Sequence, residues 1–309
     1  MNLPAALRHL PADRPADWPA DRPADLPADR PVLIAGPTAS GKSALALALA
    51  ERDGGLIINA DALQVFRGWP ILTAQPDADD LARAPHALYG CLAHDAQYSV
   101  GQWLRDLGPL LTGSLRPIIT GGTGLYFSAL TQGLANIPAT PPEIRAQGNL
   151  LSLDTLRAGL DPATLAQIDP ANRARVQRAW EVAQATGRSL RDWQSDTGAP
   201  LLPLGQCTAI ILRPGPAWLN ARIGARFDQM LDHGALDEAR AMLPHWNPAH
   251  QSARAIGAAD LIAHLQGEIT VAQARAQAIT ASRQYAKRQR TWGRARPCGW
   301  QALDPANPG

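Results

Sequence analysis

Lysine is almost missing from this chain: Lys42 and Lys287 are the two in 309 residues, and every other Lys/Arg position is arginine. Cysteine is nearly as scarce. Cys91, Cys207 and Cys298 stand far apart, are odd in number and form no CxxC pair. That excludes a disulfide framework and offers no zinc-site spacing. No apolar run reaches the roughly 18 to 20 residues a membrane-spanning helix requires. No basic start leads into an apolar h-region, so a secretory signal is not expected. A reducing cytoplasm is the expected setting, with no membrane partner. What is present is 46% hydrophobic and 18% charged residues, ordinary for a globular enzyme, on a chain long enough for one core and an appended domain.

The net charge of +2 conceals an uneven distribution. Residues 31–169 carry 8 basic against 12 acidic side chains, a balance of −4; residues 170–309 carry 17 against 10, a balance of +7. Arginine pairs bidentately with phosphates, so a basic half points to a polyanion partner. An arginine-biased solvated surface gives the same count, and charge alone does not separate the two.

Residues 11–30 repeat the units PADR, PADW, PADR, PADL and PADR. Proline at every fourth position removes backbone donors and stops helices. The unit has little with which to build a core, so residues 1–30 are expected to be an extended, disordered leader. Order is expected from Val32. VLIA reads as a strand running into a glycine loop, SALALALAER as a helix, and LIINAD as a second strand with Asp61 at its carboxyl end. RPIIT (116–120) and AIIL (209–212) are further buried-type strands. Strands alternating with helices predict an α/β fold, a parallel sheet wrapped by helices. Strand signals vanish between about Ile137 and Ser195, after the bend IPATPPE, and Arg/Ala-rich helical text replaces them. The expected organisation is a catalytic domain over 31–137 and 200–300, an all-helical insertion over 138–199 and a tail over 301–309.

GPTASGKS, comprising Gly36, Pro37, Thr38, Ala39, Ser40, Gly41, Lys42 and Ser43, matches G-x-x-x-x-G-K-[ST] in full between a predicted strand and a predicted helix. Gly36 and Gly41 let the backbone aim N–H groups at an anion, and the helix N-terminus behind them adds its dipole. Lys42 supplies a point charge, and the Ser43 hydroxyl is suited to hold Mg²⁺. The ligand therefore bears a di- or triphosphate. A P-loop kinase usually carries an acidic Mg²⁺ ligand after a second strand, but RPIIT ends in GGTG. The acid instead follows LIINA. Open α/β sheets gather ligands at the carboxyl ends of their strands, so Asp61 is expected to face the same crevice, where it is able to take a proton from a nucleophile or merely to cap a turn.

Several further segments carry a resemblance. DALQVFRG (61–68), TAQP (73–76), GGTGLYFSAL (121–130), DPATLAQIDPANRARVQRAWEV (161–182), TGRSL (186–190), LNARIGARFDQML (219–231) and KRQRTW (287–292), together with the phosphate loop, resemble the tRNA dimethylallyltransferases in that family's order, from Val32 to Trp292. The resemblance implies a P-loop NTPase-like fold and transfer of a prenyl group from dimethylallyl diphosphate to N6 of the adenosine 3′-adjacent to the anticodon. It implies that the loop 36–43 cradles the donor's diphosphate, with Mg²⁺ at Ser43 and Thr38 in the stretch assigned to substrate. Asp61 is implied as the base or hydrogen-bond acceptor for the adenine amine, and Arg222 or Arg226, from the family's R-I-x-x-R helix, as the group neutralising the leaving diphosphate. For contacts to the tRNA anticodon stem-loop it implies Asp61, Ala62, Leu63 and Gln64, then Thr123 and Arg145. It adds Ala174, Arg175, Val176, Gln177 and Arg178 of the insertion, and Arg254, Ala255, Ile256, Gly257, Ala258 and Ala259. Arg175 and Arg178, three apart, are expected to share a helix face. A monomer suffices for all of this.

The chain departs from the family's pattern at three places. Ala62 replaces the usual serine, Phe66 the common tyrosine, and Ala258 the tyrosine of R-x-x-G-Y. The insertion also looks short between Arg145 and Leu156. The departures admit a catalytically inactive tRNA-binding homologue, and the P-loop alone admits a nucleotide kinase. His86 and His94 are expected to be structural. Trp292 either stacks on a base or packs the last helix, and KRQRTW either pins that helix to the sheet or touches the anticodon loop.

Overall fold

The computed structural model describes residue 27, residues 29–295 and residues 298–306. The expected leader therefore lies outside the described residues except for its last few, where Arg116 donates to the carbonyls of Pro27 and Arg30 at 2.6 and 2.8 Å. The chain divides into two compact units, one of residues 1–128 and 202–309, the other of residues 129–201.

The first unit is built on β1 (Val32–Ala35), β2 (Leu56–Asn59), β3 (His86–Ala87), β4 (Pro117–Gly121), β5 (Thr208–Leu212) and β6 (Gln301–Leu303). All neighbours pair in parallel, in the order β3-β2-β4-β1-β5-β6. Every residue of β1 and β4 is buried, as in a parallel sheet covered on both faces. Fully burying each Ile, Leu or Val of such a run contributes about 1.5–3 kcal/mol. β1 is central: Val32 pairs with both Ile118 and Thr208, and Ala35 with Gly121 and Ile211. That arrangement puts the loops after β1, β2 and β4 side by side at one sheet edge.

The helices in chain order are α1 (Lys42–Asp53), α2 (Pro70–Thr73), α3 (Ala78–Arg83), α4 (Val100–Leu111) and α5 (Gly124–Gln132), then α6 (Pro142–Leu150), α7 (Leu153–Ala158), α8 (Pro162–Leu165), α9 (Arg173–Thr186) and α10 (Leu190–Ser195) of the second unit. The first unit resumes with α11 (Pro216–Asp232), α12 (Ala235–Met242), α13 (Ala258–Leu265) and α14 (Val271–Arg294). Helix α1 buries Leu45, Ala46 and Leu49 against Ile34, Ile57, Ile118 and Ile210 of the sheet. Helices α11 to α14 share a second core around Ile223, Phe227, Leu261 and Ala278. In α14 the buried positions are mostly small, Ala274, Ala278, Ala286 and Gly293. A Cβ at Gly293 would stand 2.6 Å from Ile211 Cδ1, so this helix lies directly against β5.

The second unit contains no strand among its described residues. Its core is Leu156, Val176 and Trp180, joined by Ile144, Leu151 and Leu153. It begins at Ala129, inside α5, and ends at Leu201, where the expected insertion covers 138–199. Two strands differ from the expectation. β3 has two residues and no apolar run, and β6 lies in the segment expected to be a tail, pairing Ile210 with Gln301 and Leu212 with Leu303. Both join the sheet through backbone hydrogen bonds, which leave no hydrophobic signature.

Candidate active site

The loop after β1 gathers its donors through two left-handed residues, Ala39 at φ 60° and Gly41 at φ 87°. An alanine in that region costs about 1–2 kcal/mol, and here it turns successive N–H groups to one side. Gly41 is the N-cap of α1, without a side-chain cap, and the first turn of α1 holds no acid. The helix thus presents unsatisfied N–H groups and its positive dipole end to the loop. Lys42 reaches back across the loop to the Pro37 carbonyl at 3.3 Å. Ser40 is buried with its Oγ unpartnered, and Ser43 is exposed in the first turn.

Asp61 stands two residues beyond β2, not on the strand as LIINAD suggested, because the buried Asn59 takes over the chain there. The Asn59 carboxamide accepts from the Asp61 N–H at 2.7 Å and donates to the carbonyls of Asp61 and Leu88, both at 2.9 Å. The Asp61 carboxylate accepts the Leu63 N–H on Oδ1 at 3.0 Å. Its Oδ2 faces Gly122, where a Cβ would approach it to 3.2 Å. The next residue is fixed from the β4 side, since the Ala62 N–H donates to Thr123 Oγ1 at 3.0 Å. Gly121 permits this closeness: a Cβ there would lie 2.2 Å from the Ala60 carbonyl. Three phenols sense the acid. Burial first, and the negative charge of Asp61 second, hold Tyr89, Tyr126 and Tyr285 well above the usual tyrosine range, so each stays a protonated donor.

Thr38 to Ser43, Asp61, Leu63, Gln64, Tyr89, Arg226 and Tyr285 open into one cavity of about 690 Å³. Its apolar wall comes from Ile71, Leu72, Phe227, Met230 and Ile256. Gly36 and Pro37 instead border a smaller cavity of about 310 Å³ with Gly122, Gln289 and Trp292. The two arginines of R-I-x-x-R part company. Arg222 donates from Nε to the Ala39 carbonyl at 3.0 Å and lies over the Trp218 ring at 4.7 Å, whereas Arg226 lines the larger cavity. The Thr38 N–H is held by Gln289 Oε1 at 2.8 Å.

The other expected RNA contacts fall into distinct environments. Gln64 donates to the carbonyls of Thr73 and Ala74, both at 2.8 Å, bracing the TAQP turn. Arg254 and Ala259 are exposed and Ile256 faces the cavity, but Ala255, Gly257 and Ala258 are buried. In the helical unit Ala174 and Arg175 are exposed, and Arg145 is exposed beside Glu181 at 4.0 Å. Val176 is wholly buried in that unit's core, where its side chain packs the helix. Gln177 is bonded to Asn149 and Glu181 at 2.7 and 3.0 Å. Arg175 and Arg178 are not equivalent clamps. Arg178 is half-buried on Thr140 Oγ1 at 2.5 Å, and burial pulls its pKa below the usual range.

Of KRQRTW, Gln289 and Trp292 pin the helix. Trp292 packs against Phe127 and Trp300 and donates to Ser128 Oγ at 3.3 Å. Lys287 and Arg288 are exposed, with Arg288 5.5 Å from the Tyr285 ring. The His86 ring donates from Nδ1 to the Ala84 carbonyl at 2.9 Å, and burial lowers its pKa. The His94 carbonyl accepts from Ser252 Oγ at 2.6 Å. Sequence reading missed Asn59, Tyr285 and Gln289; the one available signal was a polar residue closing the apolar run LIIN.

Among the described residues no three His, Cys, Asp or Glu side chains come together as a metal cluster, and no helix is long and apolar enough to cross a membrane. A sequence model of the IPP transferase family matches residues 64–296. The tRNA dimethylallyltransferase of Ruegeria sp. (strain TM1040) is 60% identical over 274 residues, 89% of this chain and 95% of that protein. That of Dinoroseobacter shibae is 58% identical over 282 residues, with the same coverage. A crystal structure of the full-length tRNA isopentenylpyrophosphate transferase from Bacillus halodurans superposes with a TM-score of 0.64 at 31% identity, covering 89% of this chain and 90% of that one. Agreement of this length, in sequence and in fold alike, settles the kinship: the chain belongs to the IPP transferase family, the tRNA dimethylallyltransferases.

Proposed function

We propose that this protein transfers the dimethylallyl group of dimethylallyl diphosphate to N6 of the adenosine 3′-adjacent to the anticodon of tRNA, working as a monomer in the cytoplasm. The observation that carries this is the single cavity into which the phosphate loop, Asp61 and Arg226 all open, with an apolar wall between them. The N6 lone pair attacks the allylic carbon, the C–O bond breaks, and its electron pair leaves on the diphosphate. The N6 proton passes to Asp61. The exocyclic amine is a weak nucleophile, so alignment outweighs basicity. The departing anion is met by the loop N–H groups, Lys42 and Arg226, preorganised where charge develops.

Mg²⁺ suits this site. The ion keeps several waters and takes few protein ligands when substrate phosphates are present, which fits the exposed Ser43 hydroxyl in the first turn of α1. Ser43 would hold it, and the ion would add positive charge beside the diphosphate. Base insertion requires the adenosine to leave its stack. Arg145 and Arg175 of the helical unit and Arg254 of the catalytic unit, all exposed, are assigned to RNA phosphates. Thr123, Ala62, Leu63 and Gln64, beside Asp61, are assigned to the anticodon stem-loop around the adenosine that receives the prenyl group.

The test is transfer of labelled dimethylallyl from its diphosphate to unmodified tRNA in the presence of Mg²⁺. Label in the RNA at adenosine is the expected outcome. ADP formation from ATP and a nucleotide acceptor, without labelled RNA, would establish a kinase instead. tRNA binding without label, where a known enzyme gives product, would establish an inactive homologue.

A further inference from the structure

One side chain connects the two halves of this site. Gln289, near the end of α14, accepts the Thr38 N–H of the phosphate loop on Oε1 at 2.8 Å and donates from Nε2 to the Gly122 carbonyl at 3.0 Å. Thr38 follows β1 and Gly122 follows β4, so one planar carboxamide bridges the two strand-end loops between which the reaction must occur. Neither bond is local, the partners being 251 and 167 residues away in sequence.

The surroundings show that the bridge is built to a fixed length. A Cβ on Gly122 would lie 2.1 Å from Gln289 Nε2 and 3.2 Å from Asp61 Oδ2, so the carboxamide and the acid flank the same glycine. Tyr285, one turn earlier on α14, lines the same cavity as Asp61, and Thr123, the residue after Gly122, holds the Ala62 N–H next to Asp61. The bridge therefore ends one residue from the group that fixes the neighbour of the base. α14 is a rigid support for it: a 24-residue helix with a capping box at Thr270 and Gln273, packed on β5 through Gly293. Beyond the β1–β4 pairing, Gln289 adds a side-chain link between the phosphate loop and the turn beside Asp61.

We propose that Gln289 is a positioning residue. Resting on the prenyl-transfer reading above, it holds the loop that carries the donor diphosphate at the distance from Asp61 that alkylation requires. A misplacement of about 1 Å costs on the order of 10²-fold in rate, so the effect belongs in kcat, while each substrate keeps most of its own contacts.

The experiment compares wild type, Gln289→Met and Gln289→Glu in steady-state transfer from labelled dimethylallyl diphosphate to tRNA, with thermal melting of each protein. Methionine preserves length but makes neither bond; glutamate keeps the acceptor for Thr38 and loses the donor to Gly122. Expected is a fall of about 10²-fold in kcat for both variants, with KM for either substrate within about threefold and melting temperatures close to wild type. Retention of wild-type kcat by Gln289→Met overturns the proposal, and so does retention by Gln289→Glu, which would make the Gly122 bond dispensable. A loss that resides in KM also overturns it, making Gln289 a binding group. Should Gln289→Met melt early, Gln289→Glu at full stability still decides. Absence of transfer by the wild-type protein in the same run refutes the functional reading and is thereby distinct from failure of this inference.

Discussion

Arg222 and Arg226 are one turn apart on α11, and the structure gives them different work, so their alanine variants should fail differently. Arg222→Ala removes a charged hydrogen bond to the Ala39 carbonyl and a guanidinium over Trp218. The bond is worth about 1.5–3 kcal/mol and the ring contact about 0.5–1 kcal/mol. Ala39 is already in the left-handed region, so the loop has strain ready to release once its carbonyl is let go. The consequence is a loop that must be reordered by the donor. KM for dimethylallyl diphosphate should rise on the order of tenfold, kcat should change less, and the melting temperature should drop by on the order of 5 °C. Arg226→Ala removes a cation from the cavity wall. Losing a preorganised partner for the leaving group costs about 2.7–4 kcal/mol in the transition state, or about 10²–10³ in kcat. Steady-state label transfer with both substrates varied, alongside thermal melting, reads all four quantities. If Arg222→Ala lost kcat at unchanged stability and Arg226→Ala did not, the division of roles would be wrong.

Other substitutions probe the remaining parts of the crevice. Asp61→Asn keeps an acceptor for the Leu63 N–H but not the proton acceptor, so label transfer should fall about 10²–10⁴-fold with both substrates still bound, as checked by equilibrium binding. Gly121→Ala forces a methyl to within 2.2 Å of the Ala60 carbonyl. It should cost about 1–3 kcal/mol in denaturant unfolding and displace Asp61 enough to reduce turnover. Glu238 is buried beneath α2 and accepts the Ile71 and Leu72 N–H groups at 2.6 and 3.0 Å; burial raises its pKa to about 7 against those two bonds. Because the folded value is the higher one, the folded state binds the extra proton between about pH 4.3 and 7. Its stabilisation is complete at the acid end and lost as pH rises through 7. Wild type should therefore lose stability relative to Glu238→Gln from pH 5 to 8, by up to about 3 kcal/mol; parallel melting curves would refute the assignment.

The legible part of the fold is the part that burial writes into the sequence. VLIA, LIIN, PIITG and TAIIL are dominated by apolar residues because both faces of the sheet are covered, and that makes them legible as strands. β3 and β6 are short edge strands that contribute backbone and little side-chain burial, so composition is silent about them. At the site, local chemistry was readable. The glycines and Lys42 of the loop announce an anion, and an acid just after a strand announces the crevice. Long-range choices were not readable: R-I-x-x-R gives two arginines on one helix, but which one turns to Ala39 depends on a loop 183 residues away. The buried Val176 is a related case. A motif names a stretch of helix, and a helix has a buried face that the motif includes.

The three departures from the family's pattern bear on whether this chain retains catalysis, and their positions answer in terms of packing. Phe66 is 1% exposed and Ala258 is fully buried. A tyrosine hydroxyl placed at Phe66 would need a buried partner or cost about 1–3 kcal/mol, so phenylalanine there is a consistent core choice. Ala258 opens α13 directly after Gly257, which is at φ 94° and would bring a Cβ to 2.8 Å from Phe227; a small side chain beside it suits that crowding. Ala62 contributes its N–H to Thr123, a bond that any residue other than proline makes. None of the three lines the large cavity, whereas Lys42, Asp61 and Arg226 all do. The changes therefore alter how the walls are packed and leave the charged groups lining the cavity in place.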